Sequence, residues 1–227
     1  MMNCILCIYR EWAFDVAQRV IDKFSKDVNF VICVNPESLR YMLDSTSNKL
    51  YLIFFIGWSW IVPSEITNEY LCICMHPSDL PKYRGGSPLQ HQIINGETES
   101  SVTFFVMNEE IDSGPTVCKV KFSLSGSLSE VIKNMAHATT EGLKIVIKEC
   151  LDNGSIEGLL EFLSLKNSPV LKRRTPEMSE IEKSDFDKFT AKELYNKIRA
   201  LQDPYPNAFV VCKNNTKLLI TDAKIGG

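Results

Sequence analysis

Leu50-Tyr51-Leu52-Ile53-Phe54-Phe55-Ile56 is an apolar run closed by Gly57. A strand with one wet face alternates apolar and polar side chains, so an unbroken run of this length belongs to a strand covered on both faces. The same texture recurs on either side of it. Asn3 to Ile8 and Phe30 to Val34 precede it as strands, and Tyr70 to Met75 follows. Between the first two lies Trp12 to Phe24, with apolar Phe14, Val16, Val20, Ile21 and Phe24 at helical spacing. Pro36 to Asp44 reads as a short helix with proline in its first turn. Buried strands separated by helices specify a parallel sheet with both faces covered.

Beyond Met75 the pattern loosens. His76 to Gly86 holds two prolines and two glycines and reads as a long ordered loop. Ser87-Pro88 then opens a short helix, with Ser87 as its N-cap. Ser101 to Met107 and Thr116 to Leu124 read as strands around an acidic turn, Asn108 to Gly114. Ser127 caps a long helix to Leu151, whose apolar face carries Leu128, Val131, Ile132, Met135, Leu143, Ile145 and Val146. The charged, proline- and serine-rich stretch from Asn167 to Ser184 reads as a linker or irregular excursion. A last helix, Ala191 to Leu201, leads to two short strands joined at Asn214-Asn215, a hairpin. The expected architecture is α/β: a doubly wound, mainly parallel, Rossmann-like sheet over residues 1–166, then a small C-terminal α+β region, 167–227, ending in the hairpin.

Composition narrows the function classes. Of the 227 residues 44% are hydrophobic and 23% charged, which permits a compact core, and the net charge of −3 supplies no basic footprint for nucleic acid. Lys172-Arg173-Arg174 is the one clear basic cluster. Most of the eight cysteines sit in apolar, strand-like runs, as small buried thiols do in a reducing compartment. Cys4 to Cys7 is formally C-x-x-C, yet no second pair or histidine pair completes a metal site, so no metal is expected. No signal peptide is recognisable, and the longest apolar stretch, Leu50 to Val62, falls short of the ~20 residues of a membrane span. A cytoplasmic protein with no membrane partner is expected.

A doubly wound sheet raises the question of a dinucleotide. The first strand runs into Tyr9-Arg10-Glu11-Trp12 with no glycine, whereas a pyrophosphate site there needs glycines for close backbone approach. No G-x-x-x-x-G-K-[ST] occurs either. The chemistry is sought instead at the C-terminal ends of the strands. His76 stands there, at the end of the fourth strand, beside the proline-glycine loop. Asp112, followed by Gly114-Pro115 that would pin its backbone, is the candidate partner. A carboxylate against an imidazole fixes the ring and favours its protonated form, a pairing suited to an oxyanion and a proton at a carbonyl centre.

The ordered series His76-Pro77-Ser78-Asp79-Leu80-Pro81-x-Tyr83-Arg84-Gly85, Pro88-Leu89-Gln90, Ile93-Ile94-Asn95-Gly96-Glu97 and Glu110-Ile111-Asp112-Ser113-Gly114-Pro115 resembles the folate-dependent formyltransferases. These include methionyl-tRNA, glycinamide ribonucleotide and sugar N-formyltransferases, all using N10-formyltetrahydrofolate as co-substrate. The resemblance implies that His76 and Asp112 are the catalytic His and Asp. It implies that Trp60, Ile61 and Val62 line the pterin pocket, faced by Met107, Asn108 and Glu110; for Trp60 a core position is an equal reading. The third catalytic position, an asparagine two residues before the histidine, is Cys74 here. A thiol is a weak donor beside an amide, and losing one oxyanion donor costs ~10²–10³ in rate. Another donor, a slow enzyme or a silent binding homologue would each account for it, and a working enzyme is the favoured reading.

The C-terminal portion is short for a methionyl-tRNA formyltransferase. Lys172-Arg173-Arg174-Thr175-Pro176-Glu177, with Tyr195, Ile198-Arg199-Ala200 and Tyr205-Pro206-Asn207-Ala208-Phe209, is similar to the small C-terminal region of the sugar N-formyltransferases. The expected acceptor is therefore a small-molecule amine, that of a nucleotide-linked amino sugar, with no nucleic-acid partner; methionyl-tRNA or another amine is the alternative. A homodimer is allowed. Lys82 and Arg84 are candidates for the acceptor's phosphates, with a solvated surface loop an equal reading.

Overall fold

The computed structural model describes residues 1–45, 51–165 and 168–226. Leu50 and the domain boundary expected at 166/167 lie outside the described residues. In chain order the elements are β1 (Met2–Ile8), α1 (Glu11–Phe24), β2 (Val28–Cys33), α2 (Pro36–Asp44), β3 (Tyr51–Ile56), α3 (Ser64–Glu69), β4 (Leu71–His76), α4 (Pro88–Ile94), β5 (Glu99–Val106), β6 (Thr116–Ser123) and α5 (Leu128–Asn153). Then come α6 (Asp185–Lys188), α7 (Ala191–Ala200), β7 (Ala208–Val211) and β8 (Lys217–Ile220), with short 3-10 turns at Glu157–Leu159 and Pro176–Ser179.

One six-stranded sheet runs in the order β2-β1-β3-β4-β5-β6. The first four strands are parallel; β5 and β6 join antiparallel. Alternation along the strands divides the core in two. Cys4, Leu6 and Ile8 of β1 and Leu52, Phe54 and Ile56 of β3 pack with α1, α4 and α5. Ile5, Cys7, Ile53 and Phe55 face the other way, toward Leu39 of α2, with Ile66 of α3 packed against them. All six residues of β3 are buried, as its unbroken apolar run requires.

Local chemistry accounts for the helix ends. Asn35 with Ser38 and Ser127 with Glu130 form reciprocal capping boxes at the starts of α2 and α5. Ser87 does not cap α4. It sits at φ 55°, and its hydroxyl accepts from the backbone N–H of Arg174 instead. Phe14 of α1 and Ile145 of α5, expected on apolar faces, are exposed; Ala13 and Ala17 take the buried stripe of α1 with Val16 and Val20. Helix α3 was not expected, because it has only six residues and none is buried.

The C-terminal region docks on the sheet domain. Ile181, Ile198, Leu201 and Ala208 form a small cluster of their own, while Ala200 joins the main core. Buried Arg199 of α7 donates to the carbonyls of Leu124 and Gly126 at 2.7 and 3.0 Å. The antiparallel β7–β8 pair turns through Asn215 at φ 61°. The stretch read as a linker is irregular but not loose. From Ser168 to Arg174 it crosses the loop after β4: Leu171 N donates to Arg84 O, Gly86 N to Leu171 O, and Lys172 O lies 3.2 Å from His91 Nε2.

Candidate active site

Cys72, Cys74 and His76 alternate along β4 and so share one face of the sheet. Cys72 is buried in the smaller cluster there, and Cys74 and Met107 pack against it. His76 is the last residue of the strand and is 6% exposed. The turn after β5 folds back over this face. Val106 N donates to Pro115 O, and the Gly114 Cα lies so near the Val106 carbonyl that a Cβ would stand 1.7 Å from its oxygen. Gly114-Pro115 thus pins the base of the turn and delivers Asp112 toward β4.

His76 Nδ1 lies 3.3 Å from Asp112 Oδ2, and Nε2 lies 2.9 Å from the carbonyl oxygen of Tyr83. Both ring nitrogens therefore face acceptors. A neutral imidazole has one N–H and can serve one of them; an imidazolium serves both. Tyr83 is at φ 58°, a conformation rare for a bulky residue, and this turns its carbonyl onto the ring. Its hydroxyl, donating to Glu97 Oε1 at 2.9 Å, ties down the far end. Asp112 is also left-handed, at φ 47°, and its Oδ2 accepts from Gly85 N at 2.8 Å. Such backbone conformations persist where the surroundings over-determine them.

The Cys74 thiol donates to Met75 O at 3.8 Å. Burial, then the nearby Asp112 carboxylate and Cys72, push its thiol up, so it stays a neutral S–H. Trp60 is 42% and Ile61 95% exposed, so neither is a core residue. Trp60 stacks edge-on with Tyr9 and Trp58, and Tyr9 donates to Ser59 Oγ. An apolar cleft of about 270 Å³ lies between α2, the 58–63 loop and α3, lined by Leu39, Arg40, Trp58, Ile61, Val62 and Ile66 among others. It lies on the face that carries Cys74 and Met107, and it does not itself contain His76 or Asp112. Asn108 Oδ1 accepts from Glu110 N and Ser113 Oγ, closing the acidic turn on itself.

Lys82 is exposed at the loop surface. Arg84 is not: its side chain is 3% exposed and turns inward, to Ile111 O, Glu110 and Ser168 O. Its donors serve the protein, which sets it apart from Lys82 as a contact for phosphate. Sequence reasoning also missed the Gly85 N–H, the Tyr83 carbonyl and the 168–174 crossing. Gly85-Gly86 was the available signal, since paired glycines mark a close backbone approach. A Cβ on Gly85 would stand 2.4 Å from Leu171 O, and one on Gly86 2.4 Å from Arg173 N. Among the described residues no group of three or more His, Cys, Asp or Glu is placed to hold a metal ion.

Residues 41–147 match the formyl transferase family model, and residues 175–226 match the formyl transferase C-terminal domain. The chain belongs to the formyl transferase family. Among curated members it is 27% identical over 209 residues to a methionyl-tRNA formyltransferase of Wolbachia sp. subsp. Drosophila simulans, covering 88% of this chain and 64% of that one. The match spans between about two fifths and two thirds of the length of the first curated family members. A solved methionyl-tRNA formyltransferase from Clostridium thermocellum superposes with a TM-score of 0.75 at 26% identity, over 100% of both chains. A sugar N-formyltransferase from Shewanella sp FDAARGOS_354 shares the fold, with a TM-score of 0.74 at 20% identity over 100% of both chains. The family match also covers the two segments, 60–63 and 107–112, that flank β4. No described helix is long and apolar enough to cross a membrane.

Proposed function

We propose that the chain transfers the formyl group of N10-formyltetrahydrofolate to the amine of a small acceptor, a nucleotide-linked amino sugar. The observation that carries the transfer reading is the His76–Asp112 pair, held at the end of β4 on the face bordered by the 60–62 and 107–110 segments. The neutral acceptor amine attacks the formyl carbon, and negative charge develops on the formyl oxygen. The His76 ring, held between the Asp112 carboxylate and the Tyr83 carbonyl, is directed by these contacts to the side on which that oxygen develops its charge. Asp112 Oδ2 is engaged by His76 and Gly85, so the amine proton passes to Oδ1, directly or through water. Collapse of the tetrahedral intermediate expels N10 of the folate, which takes that proton from Asp112 and returns it to the carboxylate form. Trp60, Ile61 and Val62, with Met107, Asn108 and Glu110 opposite, are the proposed walls of the pterin site; the apolar cleft at Ile61 and Val62 suits a flat heteroaromatic ring.

The acceptor assignment rests on the net charge of −3 and on the likeness of the 173–209 motifs to sugar N-formyltransferases. A second reading, methionyl-tRNA, is favoured by the curated family members and by the Clostridium thermocellum structure. Incubating the protein with formyltetrahydrofolate and either nucleotide-linked amino sugars or charged initiator tRNA decides between them. Formylated sugar supports the proposal, and formylated tRNA replaces it with the second reading. Folate release without any acceptor makes the protein a hydrolase, and folate binding without turnover makes it a silent homologue.

A further inference from the structure

Arg84 reaches three segments at once. Nε and Nη2 donate to the Ile111 carbonyl at 3.1 and 2.6 Å, and Nη2 also donates to Glu110 Oε1 at 2.7 Å. Nη1 donates to Ser168 O at 3.4 Å, and the Arg84 carbonyl accepts from Leu171 N at 2.7 Å. The loop after β4, the acidic turn and the 168–174 crossing meet on this one residue. The Ile111 carbonyl and the Asp112 nitrogen belong to the same planar peptide unit, so fixing the oxygen with two donors of one rigid guanidinium restrains the plane from which Asp112 departs. That matters because Asp112 sits at φ 47°, where a non-glycine residue does not rest unaided. Burial contributes little to holding this part of the turn, since Ile111 and Glu110 are both exposed.

We propose that Arg84 is a positioning residue: its buried guanidinium clamps the Ile111–Asp112 peptide and so keeps the Asp112 carboxylate on His76. This inference rests on the reading of His76 and Asp112 as the reacting pair, and it gives Arg84 no contact with substrate. A planar fork with five N–H groups suits the task; an ammonium placed at the same spot cannot bracket one carbonyl and reach two further acceptors.

The test uses Arg84→Lys and Arg84→Ala in the full chain, with the lysine variant carrying it should the alanine variant fail to fold. Arg84→Lys is expected to lower kcat for formyl transfer by ~10- to 100-fold, the scale of a 1 Å misplacement, with the folate KM moving less than about threefold. Combined with Asp112→Asn, the Arg84→Lys loss should nearly vanish, because a residue acting through Asp112 has nothing left to position. In a crystal of Arg84→Lys, the Asp112 carboxylate should stand clear of His76 Nδ1. An equal fold-loss in both backgrounds, or a lysine variant that keeps the His76–Asp112 contact intact, overturns the proposal. A wild-type protein that transfers no formyl group refutes the functional reading alone; the crystal of Arg84→Lys still decides the clamp.

Discussion

The Gly85 N–H donates at 2.8 Å to Asp112 Oδ2, the same carboxylate oxygen that approaches His76. One oxygen thus serves a backbone donor and the imidazole together, and both must be in place for the ring to be oriented. Asp112→Asn keeps the size of the side chain and removes its charge. It is expected to lower kcat by ~10²–10⁴, the range of a lost acid–base group, with the folate KM nearly unchanged. His76→Ala should fall in the same range. Steady-state kinetics with either variant is the check, and wild-type turnover in one of them removes the pair from the reaction.

On the proposed reading, Cys74 offers a neutral thiol at the position where an amide would bind the formyl oxygen better. Cys74→Asn is expected to raise kcat by at least ~10-fold and by no more than the ~10²–10³ that one oxyanion donor supplies. An unchanged or lower kcat means that another group already fills that role.

Gly142 lies in α5 against the ring of Phe104, and a Cβ there would meet a ring carbon at 2.1 Å. Helix propensity favours Gly142→Ala by roughly 1 kcal/mol. Overpacking a closed core opposes it by about 1–3 kcal/mol. The variant should therefore melt below the wild type, and Phe104→Leu added to it should recover part of the loss. A rise in melting temperature on Gly142→Ala alone would show that Phe104 yields freely.

The thiols divide by exposure. Burial pushes Cys72 up to about 12, raises Cys4 and Cys7 well above the ordinary range, and leaves all three protonated and shielded. Cys212 lies in the exposed hairpin turn. Iodoacetamide near pH 8 should label Cys212 first, with Cys4, Cys7 and Cys72 labelled only after denaturation, as peptide mass mapping would read out.

The sheet was legible because its signals are local. Unbroken apolar runs named β1, β3 and β4 as covered strands, and Ser127 with Glu130 named the start of α5 three residues apart. The apolar run of β2 misled, because that strand lies at the sheet edge and leaves Ile32 exposed. Helix α3 was missed because it buries no residue and so carries no periodic stripe. Ser87 was misread because its partner, the N–H of Arg174, is 87 positions away, and a tertiary donor outcompeted the cap. The same holds at the site. His76 and Asp112 stood out through strand position and flanking residues, while the buried state of Arg84 depends on Ile111 and Ser168, which no local pattern brings to it.

Gly85 and Gly86 leave no room for a side chain because residues 170–173 run directly over them. The loop that presents His76 with the Tyr83 carbonyl and Asp112 with the Gly85 N–H is thereby finished by a stretch of chain synthesised well after it. On a ribosome the sheet from β1 to β6 can assemble in the order of its synthesis, but the loop proposed to frame the site lacks its cover until Leu171 to Arg174 emerge. On the proposed reading, the His76–Asp112 contact is therefore completed late in translation, after the face proposed to meet the folate has formed.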